Sequence, residues 1–228
     1  MKMHLFKMKG SWNDRLAFLY NLVVASGLDH LYNAFAGFFL SDLPEGSRVL
    51  DLGCGAGQVA VRVAEMNPKA EVLGVDLSQS QIALARRRGR GLANLSFETG
   101  DAMDLRLPED RFDIVFSMAS IKHWPDPIRG LQEMRRVCRP GGRIWVVEAD
   151  TQSTRQEARD FVANWRWVLP GTRPLVRWYF RFVVGWQGLS LKDLDRLLSE
   201  AGFADVLTQK ALGQPIVIGT GTKGGAGR

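Results

Sequence analysis

The stretch Val49-Leu-Asp-Leu-Gly-Cys-Gly-Ala-Gly57 decides the fold of this 228-residue chain. It begins as a short apolar strand, Arg48–Leu52, and its three glycines allow a sharp turn into a helix that starts at Gln58. Such a loop lets a ligand approach backbone amides, and the helix N-terminus favours negative charge, although a purely structural turn is the alternative. Gln58 stands where the dinucleotide fingerprint needs a third glycine, which counts against a nicotinamide-dependent enzyme.

Beyond this loop, short β-branched runs alternate with helical stretches, which predicts an α/β fold with a parallel sheet covered by helices. The fourth run is apolar along its whole length, as expected for a buried parallel strand. A Pro-Gly-Gly sequence at 140–142 is expected to end the last helix of this region. We expect strands at Arg48–Leu52, Ala70–Val75, Leu95–Glu98, Phe112–Ser117 and Arg143–Glu148, and helices at Gln58–Met66, Ser78–Arg88 and Ile128–Cys138.

The flanking segments differ in character from this core. The N-terminal residues are helical and aromatic, and four tryptophans interleaved with arginines come after the fifth strand. An amphipathic helix at 190–201 and two strands near 205–210 and 215–220 close the fold as an antiparallel hairpin, and the ordered chain is expected to end near Gly219. The predicted regions are an N-terminal helical cap (1–45), a core (46–150), a Trp/Arg-rich lid insertion (151–189), the terminal helix and hairpin (190–220) and a flexible tail (221–228).

The composition limits the classes of function. Lys and Arg outnumber Asp and Glu by 30 to 24, and the resulting charge of +6 suits a nucleic acid, an anionic membrane surface or a small acid. The hydrophobic fraction of 46% excludes a disordered chain. With only Cys54 and Cys138, a disulfide scaffold and a four-cysteine zinc site are excluded, so we expect no metal and a reducing, cytoplasmic setting. No stretch has the pattern of a secretory signal or a membrane span.

Two more features lie directly after strands. Asp76 ends the second strand, at the sheet edge where open α/β folds bind ligands, and can accept both hydroxyls of a ribose; capping the next helix is the alternative. Asp101 and Ala102 come after the third strand. A carboxylate there can accept an exocyclic amine while the next amide donates to a ring nitrogen, which is how an adenine edge is bound. Three such features after three successive strands indicate one ligand site.

The order VLDLGCGAG, GVDLS, GDAMDL, FDIVFS and RRVCRPGGRIWVVE resembles the class I S-adenosylmethionine-dependent methyltransferases, in particular their small-molecule, ubiquinone-biosynthesis-like branch. The likeness covers residues 45–150 and implies a Rossmann-like seven-stranded sheet with an antiparallel last strand, helices on both faces, and S-adenosylmethionine as the cofactor. It also implies the cofactor-binding residues: Asp51 and Gly53 by the methionine moiety, with Cys54 and Gly55 in the same loop, Asp76 at the ribose, Leu77 and Ala102 flanking the adenine, Asp101 at its amine and Ser117 on the sulfonium side.

The acceptor side is less specific. A sulfonium methyl is already electrophilic, so the protein mainly has to hold an acceptor in line and exclude water, and a hydroxyl acceptor is helped by a base with a pKa near neutrality. His123, just past the fourth strand beside Trp124, is the candidate base, with packing in the loop as the alternative. Glu148 is the second catalytic candidate, because it and Asp150 lie at the end of the fifth strand, although either could cap the next segment of the chain.

Three interpretations of the Trp/Arg-rich insertion remain open: a lid over an aromatic pocket with an arginine for an acidic acceptor, a membrane-interface surface, or a helical cap with solvated arginines. The arginines at 86–88 and 90, at the end of the second helix, are expected to complement the helix dipole, with a nucleic-acid contact as the alternative. Ser117-Met-Ala-Ser120 stands where amide- or adenine-directed methyltransferases carry an Asn/Asp-Pro-Pro-aromatic run, which disfavours nucleic acid as the acceptor.

The sequence thus predicts methyl transfer from S-adenosylmethionine to the O, N or S nucleophile of a small hydrophobic or aromatic acceptor, by in-line displacement and by a monomer or homodimer. One alternative is a methyltransferase of a membrane quinone or lipid headgroup with peripheral membrane contact. Another, of a different class, is a non-catalytic nucleotide-binding regulatory subunit.

Overall fold

The computed structural model describes residues 35, 43–163, 188–211 and 213–225. The strands, in chain order, are β1 (Arg48–Leu52), β2 (Glu71–Asp76), β3 (Leu95–Thr99), β4 (Phe112–Met118), β5 (Cys138–Ala149), β6 (Ala204–Lys210) and β7 (Ile216–Thr222). The helices are α1 (Gln58–Met66), α2 (Gln79–Arg88), α3 (Pro127–Val137), α4 (Arg155–Ala163) and α5 (Leu191–Glu200), and a 3₁₀ turn covers Ile121–His123. The helix α4 and the 3₁₀ turn were not predicted. For the predicted elements other than β5, the predicted bounds lie within two residues of the observed ones.

The strands form one sheet in the order β3-β2-β1-β4-β5-β7-β6. The first five strands of this order pair in parallel, and β7 runs antiparallel to both of its neighbours. The expected seven-stranded sheet with an antiparallel last strand is therefore confirmed. Because β1 lies between β2 and β4, the loops after these three strands emerge side by side at one edge of the sheet.

Side-chain caps fix where the helices begin. The Ser78 hydroxyl accepts the amide of Gln81 and starts α2, as its place in the sequence predicts. Asp126 caps α3 in the same way, and Pro127 occupies the first helical position, where a missing N–H costs nothing. Gly57 starts α1 without a side-chain cap. The first backbone amides of that helix therefore need hydrogen-bond acceptors from elsewhere in the fold.

The predicted separation of the third helix from the fifth strand is wrong. The helix ends at Val137, and β5 already begins at Cys138, which pairs with Phe112 of β4. The Pro-Gly-Gly sequence is a bulge in this strand, because the pairing with β4 passes from Phe112–Cys138 directly to Ile114–Arg143; a Cβ at Gly142 would lie 2.6 Å from the sulfur of Cys138. The glycines therefore allow close packing inside the strand, where the sequence pattern predicted a break before it.

The ordered chain does not end near Gly219 as expected. Strand β7 continues to Thr222, and the amide of Lys223 still donates to Gly142 O at 3.0 Å. Gly219 is a packing residue, because a Cβ there would lie 2.7 Å from Leu198 on α5. A glycine-rich sequence at this point indicates close approach of a helix to the sheet, and the predicted start of the flexible tail at residue 221 is wrong.

Apolar side chains fill both faces of the sheet, as expected. One core contains residues of α1, α2 and α4, and the other contains residues of α3 and α5. Phe35 packs edge-on against Phe116 and Trp145, with ring centroids 5.8 and 6.4 Å apart, so this one residue of the predicted N-terminal cap lies on the first of these faces. The rest of the cap up to residue 42, and residues 164–187 of the predicted insertion, lie outside the described residues. None of the helices in the described part of the chain is long and apolar enough to cross a membrane.

Candidate active site

The loop between β1 and α1 is held against the end of β2. The amides of Gly53 and Cys54 both donate to Val75 O, at 2.7 and 3.0 Å. Gly53 has a φ of +77°, and a Cβ there would overlap the side chain of Ser120, so only glycine fits. Gly57 is similarly restricted, since its Cβ would lie 2.7 Å from the Phe97 ring. The sequence-predicted glycine loop is therefore a turn pressed between the ends of β2 and β4.

Asp76 joins this loop to the start of α2. One carboxylate oxygen accepts the Gly55 amide at 2.9 Å, and the other accepts the Ser78 amide, also at 2.9 Å. Burial raises the pKa of the Asp76 carboxyl, and the two N–H donors act in the opposite direction. The Ser78 hydroxyl caps α2 itself, so the Asp76 carboxylate holds the glycine loop through Gly55 and the chain entering α2 through the Ser78 amide.

Asp51 lies at the carboxyl end of β1 and is only 2% exposed. Its carboxylate accepts the amide of Ala60 in the first turn of α1, and so supplies the cap that Gly57 cannot. Burial, and then the nearby charge of Asp76, raise the pKa of Asp51 well above its usual value. Two buried carboxyl groups at neighbouring strand ends form a region of negative potential that suits a cationic ligand group such as an ammonium.

Cys54 lies beside these carboxyl groups. Burial and the charges of Asp51 and Asp76 raise the pKa of its thiol, which therefore stays neutral. The Cys54 sulfur is 3.6 Å from Gly55 O, a weak hydrogen bond within the loop itself. Cys54 thus contributes volume and loop geometry to the site, without the reactivity of a thiolate.

The predicted adenine side contains an exposed apolar residue next to polar groups. Leu77, directly after β2, is 53% exposed, which is unusual for a leucine so close to a buried strand. Ala102 is buried, and Asp101 accepts the amide of Met103 at 2.9 Å, which fixes the turn after β3. This arrangement offers an apolar face and a carboxylate at one edge of the sheet, the combination that a purine ring requires.

Two serines lie at and after the end of the fourth strand, on the other side of the loop. The Ser117 hydroxyl is fully buried and has no hydrogen-bond partner among the described residues. A buried polar atom of this kind indicates a missing ligand group or water. The Ser120 hydroxyl accepts the indole N–H of Trp124 at 3.1 Å, and Ala119 between the two serines has a φ of +56°. Ser120 was not predicted, because a serine in a loop carries no pattern that shows its contact with Gly53.

His123 and Glu148 both lie on this side of the site, and Lys122 connects them. The ammonium of Lys122 lies 2.9 Å from Glu148 Oε2, and the two side chains are 8% and 0% exposed. Burial, and then the charge of Lys122, lower the pKa of His123 to about 3. The imidazole is therefore neutral but weakly basic, and Glu148 is held in an ion pair. Sequence reasoning named His123 and Glu148 but missed Lys122.

Asp150 belongs to a separate ionic cluster at the end of β5. Lys210 of β6 contacts Asp150 at 2.8 Å and Glu157 of α4 at 2.9 Å. Asp150 also accepts the amide of Gln152 at 2.7 Å, so its capping role is the one that the structure supports. The cluster connects the last hairpin to the first helix of the predicted insertion.

These residues fit the cofactor implied by the sequence resemblance. The carboxylates of Asp51, Asp76 and Asp101 lie at successive strand ends, and the orphaned Ser117 hydroxyl lies on the opposite side of the glycine loop. Such a donor and acceptor set matches an amino acid joined to an adenosine, with an ammonium, two ribose hydroxyls and an adenine amine. The backbones of Asp101 and Asp104 also form an isolated antiparallel β-bridge, which restrains the turn after β3.

The chain is similar in sequence to several proteins that are named as methyltransferases. It is 32% identical over 168 residues to the 27-O-demethylrifamycin SV methyltransferase of Amycolatopsis mediterranei, which covers 68% of this chain and 59% of that protein. It is 33% identical over 165 residues to the 2-phytyl-1,4-naphtoquinone methyltransferase of Synechococcus elongatus, over 69% of this chain and 66% of that one. The chain thus spans less than two thirds of the length of either relative.

The fold is also shared with solved structures. A SAM-dependent methyltransferase from Aquifex aeolicus superimposes with a TM-score of 0.68, at 18% sequence identity, over 92% of this chain and 98% of the other. A family model described as a methyltransferase domain matches residues 43–201, which include the strands β1 to β5 and the loops that follow them. The chain therefore belongs to the methyltransferase domain family, in the small-molecule branch of the class I S-adenosylmethionine-dependent methyltransferases.

Proposed function

We propose that this protein transfers the methyl group of S-adenosylmethionine to a small hydrophobic or aromatic acceptor. The observation that carries the proposal is the carboxylate of Asp76, fixed to the Gly55 amide at 2.9 Å at the edge where three strand ends meet. When bound, S-adenosylmethionine supplies an electrophilic methyl group on its sulfonium. The protein's part is to hold the two reactants in line and to keep water out.

The cofactor-side roles are proposed from the contacts. Each Asp76 oxygen accepts one backbone N–H and retains a lone pair for a ribose hydroxyl. Asp51 is proposed to bind the cationic amino end, since its burial leaves it otherwise without a compensating charge. Leu77 and Ala102 are proposed to contact the adenine, and Asp101 its amine. The Ser117 hydroxyl is proposed to face the sulfonium side.

The acceptor class is proposed from the relatives and from the acceptor-side residues. The two relatives are named as methyltransferases of 27-O-demethylrifamycin SV and of 2-phytyl-1,4-naphtoquinone, which supports a small organic molecule as the acceptor. His123, the candidate base, has a pKa of about 3 and is too weak to take the proton of a hydroxyl, so we propose that the neutral imidazole instead accepts a hydrogen bond from the acceptor hydroxyl and orients it. Glu148 is proposed to orient Lys122, and through it the 3₁₀ turn that carries His123.

The test is binding followed by transfer. Calorimetry with S-adenosylhomocysteine should give saturable binding to the intact chain, and no binding would overturn the proposal. Tritiated S-adenosylmethionine is then incubated with a panel of phenols, naphthoquinols, amines and thiols, with and without vesicles of anionic phospholipid. Label in a small phenol or quinol supports the proposal. Transfer only to quinols held in vesicles favours the membrane-quinone alternative, and binding without transfer to any acceptor favours the regulatory one.

A further inference from the structure

Three consecutive arginines end α2, and two of them bind backbone carbonyls of other elements. The guanidinium of Arg86 donates twice to Phe97 O in β3, at 3.2 and 2.9 Å. Arg88 donates through Nη1 to Ala56 O, inside the glycine loop. The expectation that this cluster mainly complements the helix dipole is therefore incomplete, because Arg88 reaches across to the loop that holds the cofactor site.

The carbonyl of Ala56 needs a donor that the loop itself does not provide. The ladder of α1 starts one residue later, where the Val61 amide donates to Gly57 O at 3.0 Å. Ala56 is only 1% exposed, so water is a poor substitute for a protein donor. The Arg88 guanidinium satisfies this carbonyl from the outside.

The same peptide unit is also held at its other end. The amide of Gly57, which belongs to the peptide plane of the Ala56 carbonyl, donates to Cys54 O at 2.9 Å. Gly57 has a φ of +78° and no side chain, so this peptide unit has little intrinsic resistance to rotation. Without Arg88, the unit is restrained by one hydrogen bond in place of two, at the point where the loop turns into α1.

We propose that Arg88 is a positioning residue for the cofactor loop: by binding Ala56 O, it fixes the peptide plane that sets the direction of the loop amides. Asp76 holds the loop from β2, Asp51 of β1 holds the first turn of α1 that follows it, and Arg88 holds the loop from α2. This inference rests on the proposed function, since it assigns Arg88 a share in binding the adenosyl cofactor without touching it.

Arg87 provides a matched control. It is the preceding residue in the same helical turn, carries the same charge and lies one residue further from the helix C-terminus, yet it forms no hydrogen bond or ion pair with the residues that the structure describes. A helix-dipole role would make the two arginines nearly equivalent. A loop-positioning role makes Arg88 different from Arg87.

The experiment compares Arg88→Met, Arg88→Lys and Arg87→Met in the intact chain, by calorimetric titration with S-adenosylhomocysteine and by urea unfolding without ligand. We expect Arg88→Met to weaken binding about tenfold, as the loss of a charged donor to a buried carbonyl predicts. Arg87→Met should stay within about twofold of the unmodified chain, and Arg88→Lys should recover part of the loss because it keeps a single donor.

Equal affinities for the Arg88→Met and Arg87→Met variants would overturn the inference. An affinity loss in Arg88→Met that disappears once the fraction unfolded is taken into account would also overturn it, because the residue would then be merely structural. If Arg88→Met does not fold, the affinities of Arg88→Lys and Arg87→Met are compared instead, and equal affinities of these two variants would overturn the inference. Failure of the unmodified chain to bind S-adenosylhomocysteine would instead reject the proposed function.

Discussion

Asp76 Oδ2 accepts the backbone N–H of Gly55 at 2.9 Å, so the carboxylate that ends β2 is fixed to the glycine loop that ends β1. Residues 21 positions apart in the chain thus form one unit of the site. The carboxylate orders the loop amides and at the same time presents its remaining lone pairs at the sheet edge. A change at this position is therefore expected to alter both the loop and the proposed ribose contact.

Replacement of Asp76 by alanine should weaken binding of S-adenosylhomocysteine about ten- to a hundredfold, as the loss of charge-assisted hydrogen bonds predicts. Calorimetric titration of the intact chain measures this effect. Asp76→Asn keeps an oxygen acceptor for the Gly55 amide, so its affinity should lie between those of the Asp76→Ala variant and the unmodified chain. The exposed Asp104, in the turn after β3, is the matched control, and Asp104→Ala should leave affinity unchanged. Equal affinity for the Asp76→Ala and unmodified chains would contradict the placement of the ribose.

Asp51 should show opposite effects on stability and binding. Its folded-state pKa is raised, so its contribution to stability is present below its unfolded pKa and is lost as the pH rises through the folded one. Asp51→Asn should therefore raise the melting temperature of the ligand-free protein at pH 7.5 by a few degrees, and the gain should shrink toward pH 4. The same variant should bind the cofactor more weakly. Calorimetric scans at the two pH values provide the test, and a lower melting temperature at pH 7.5 would contradict it.

The placement of the site residues was predictable wherever it depended on strand ends. Asp76 and Asp101 lie at or just after the end of a strand, and parallel strands deliver their carboxyl ends to the same edge of a sheet. The seven-stranded sheet with an antiparallel last strand was expected from the family resemblance and is confirmed, whereas the order of the strands comes from the structure.

Contacts between residues far apart in the chain were not predictable. Lys122 and Glu148 are 26 residues apart, and Arg88 and Ala56 are 32 residues apart. No local pattern marks either pair, since a lysine in a loop and an arginine at a helix end are common on protein surfaces. The glycines of β7 were misleading for a related reason, because glycine-rich sequences occur both in frayed tails and in strands that a helix approaches closely.

His123 should make the protein sensitive to acid. Its folded-state pKa of about 3 lies below its usual 6.5, so the stability of the neutral form is present above pH 6.5 and is lost as the pH falls toward 3. Between pH 7.5 and pH 5 this one group should reduce the free energy of unfolding by about 2 kcal/mol. In urea titrations, the free energy of unfolding of the His123→Asn variant should fall less between pH 7.5 and pH 5 than that of the unmodified chain. The same loss in both proteins would show that His123 is not buried as a neutral imidazole.

The contributions of Lys122 and Glu148 to the free energy of unfolding should depend on each other, because the two side chains form an ion pair. Because both side chains are buried, Lys122→Met leaves an uncompensated carboxylate and should cost about 3–5 kcal/mol of unfolding free energy, and Glu148→Leu should cost a similar amount. The double variant removes both charges and should regain most of that loss. Urea unfolding of the four proteins measures the coupling, and additive losses would contradict a direct ion pair. Methyl transfer by the stable double variant then separates the two roles: retained activity leaves Glu148 structural, and its loss assigns the carboxylate to the acceptor side.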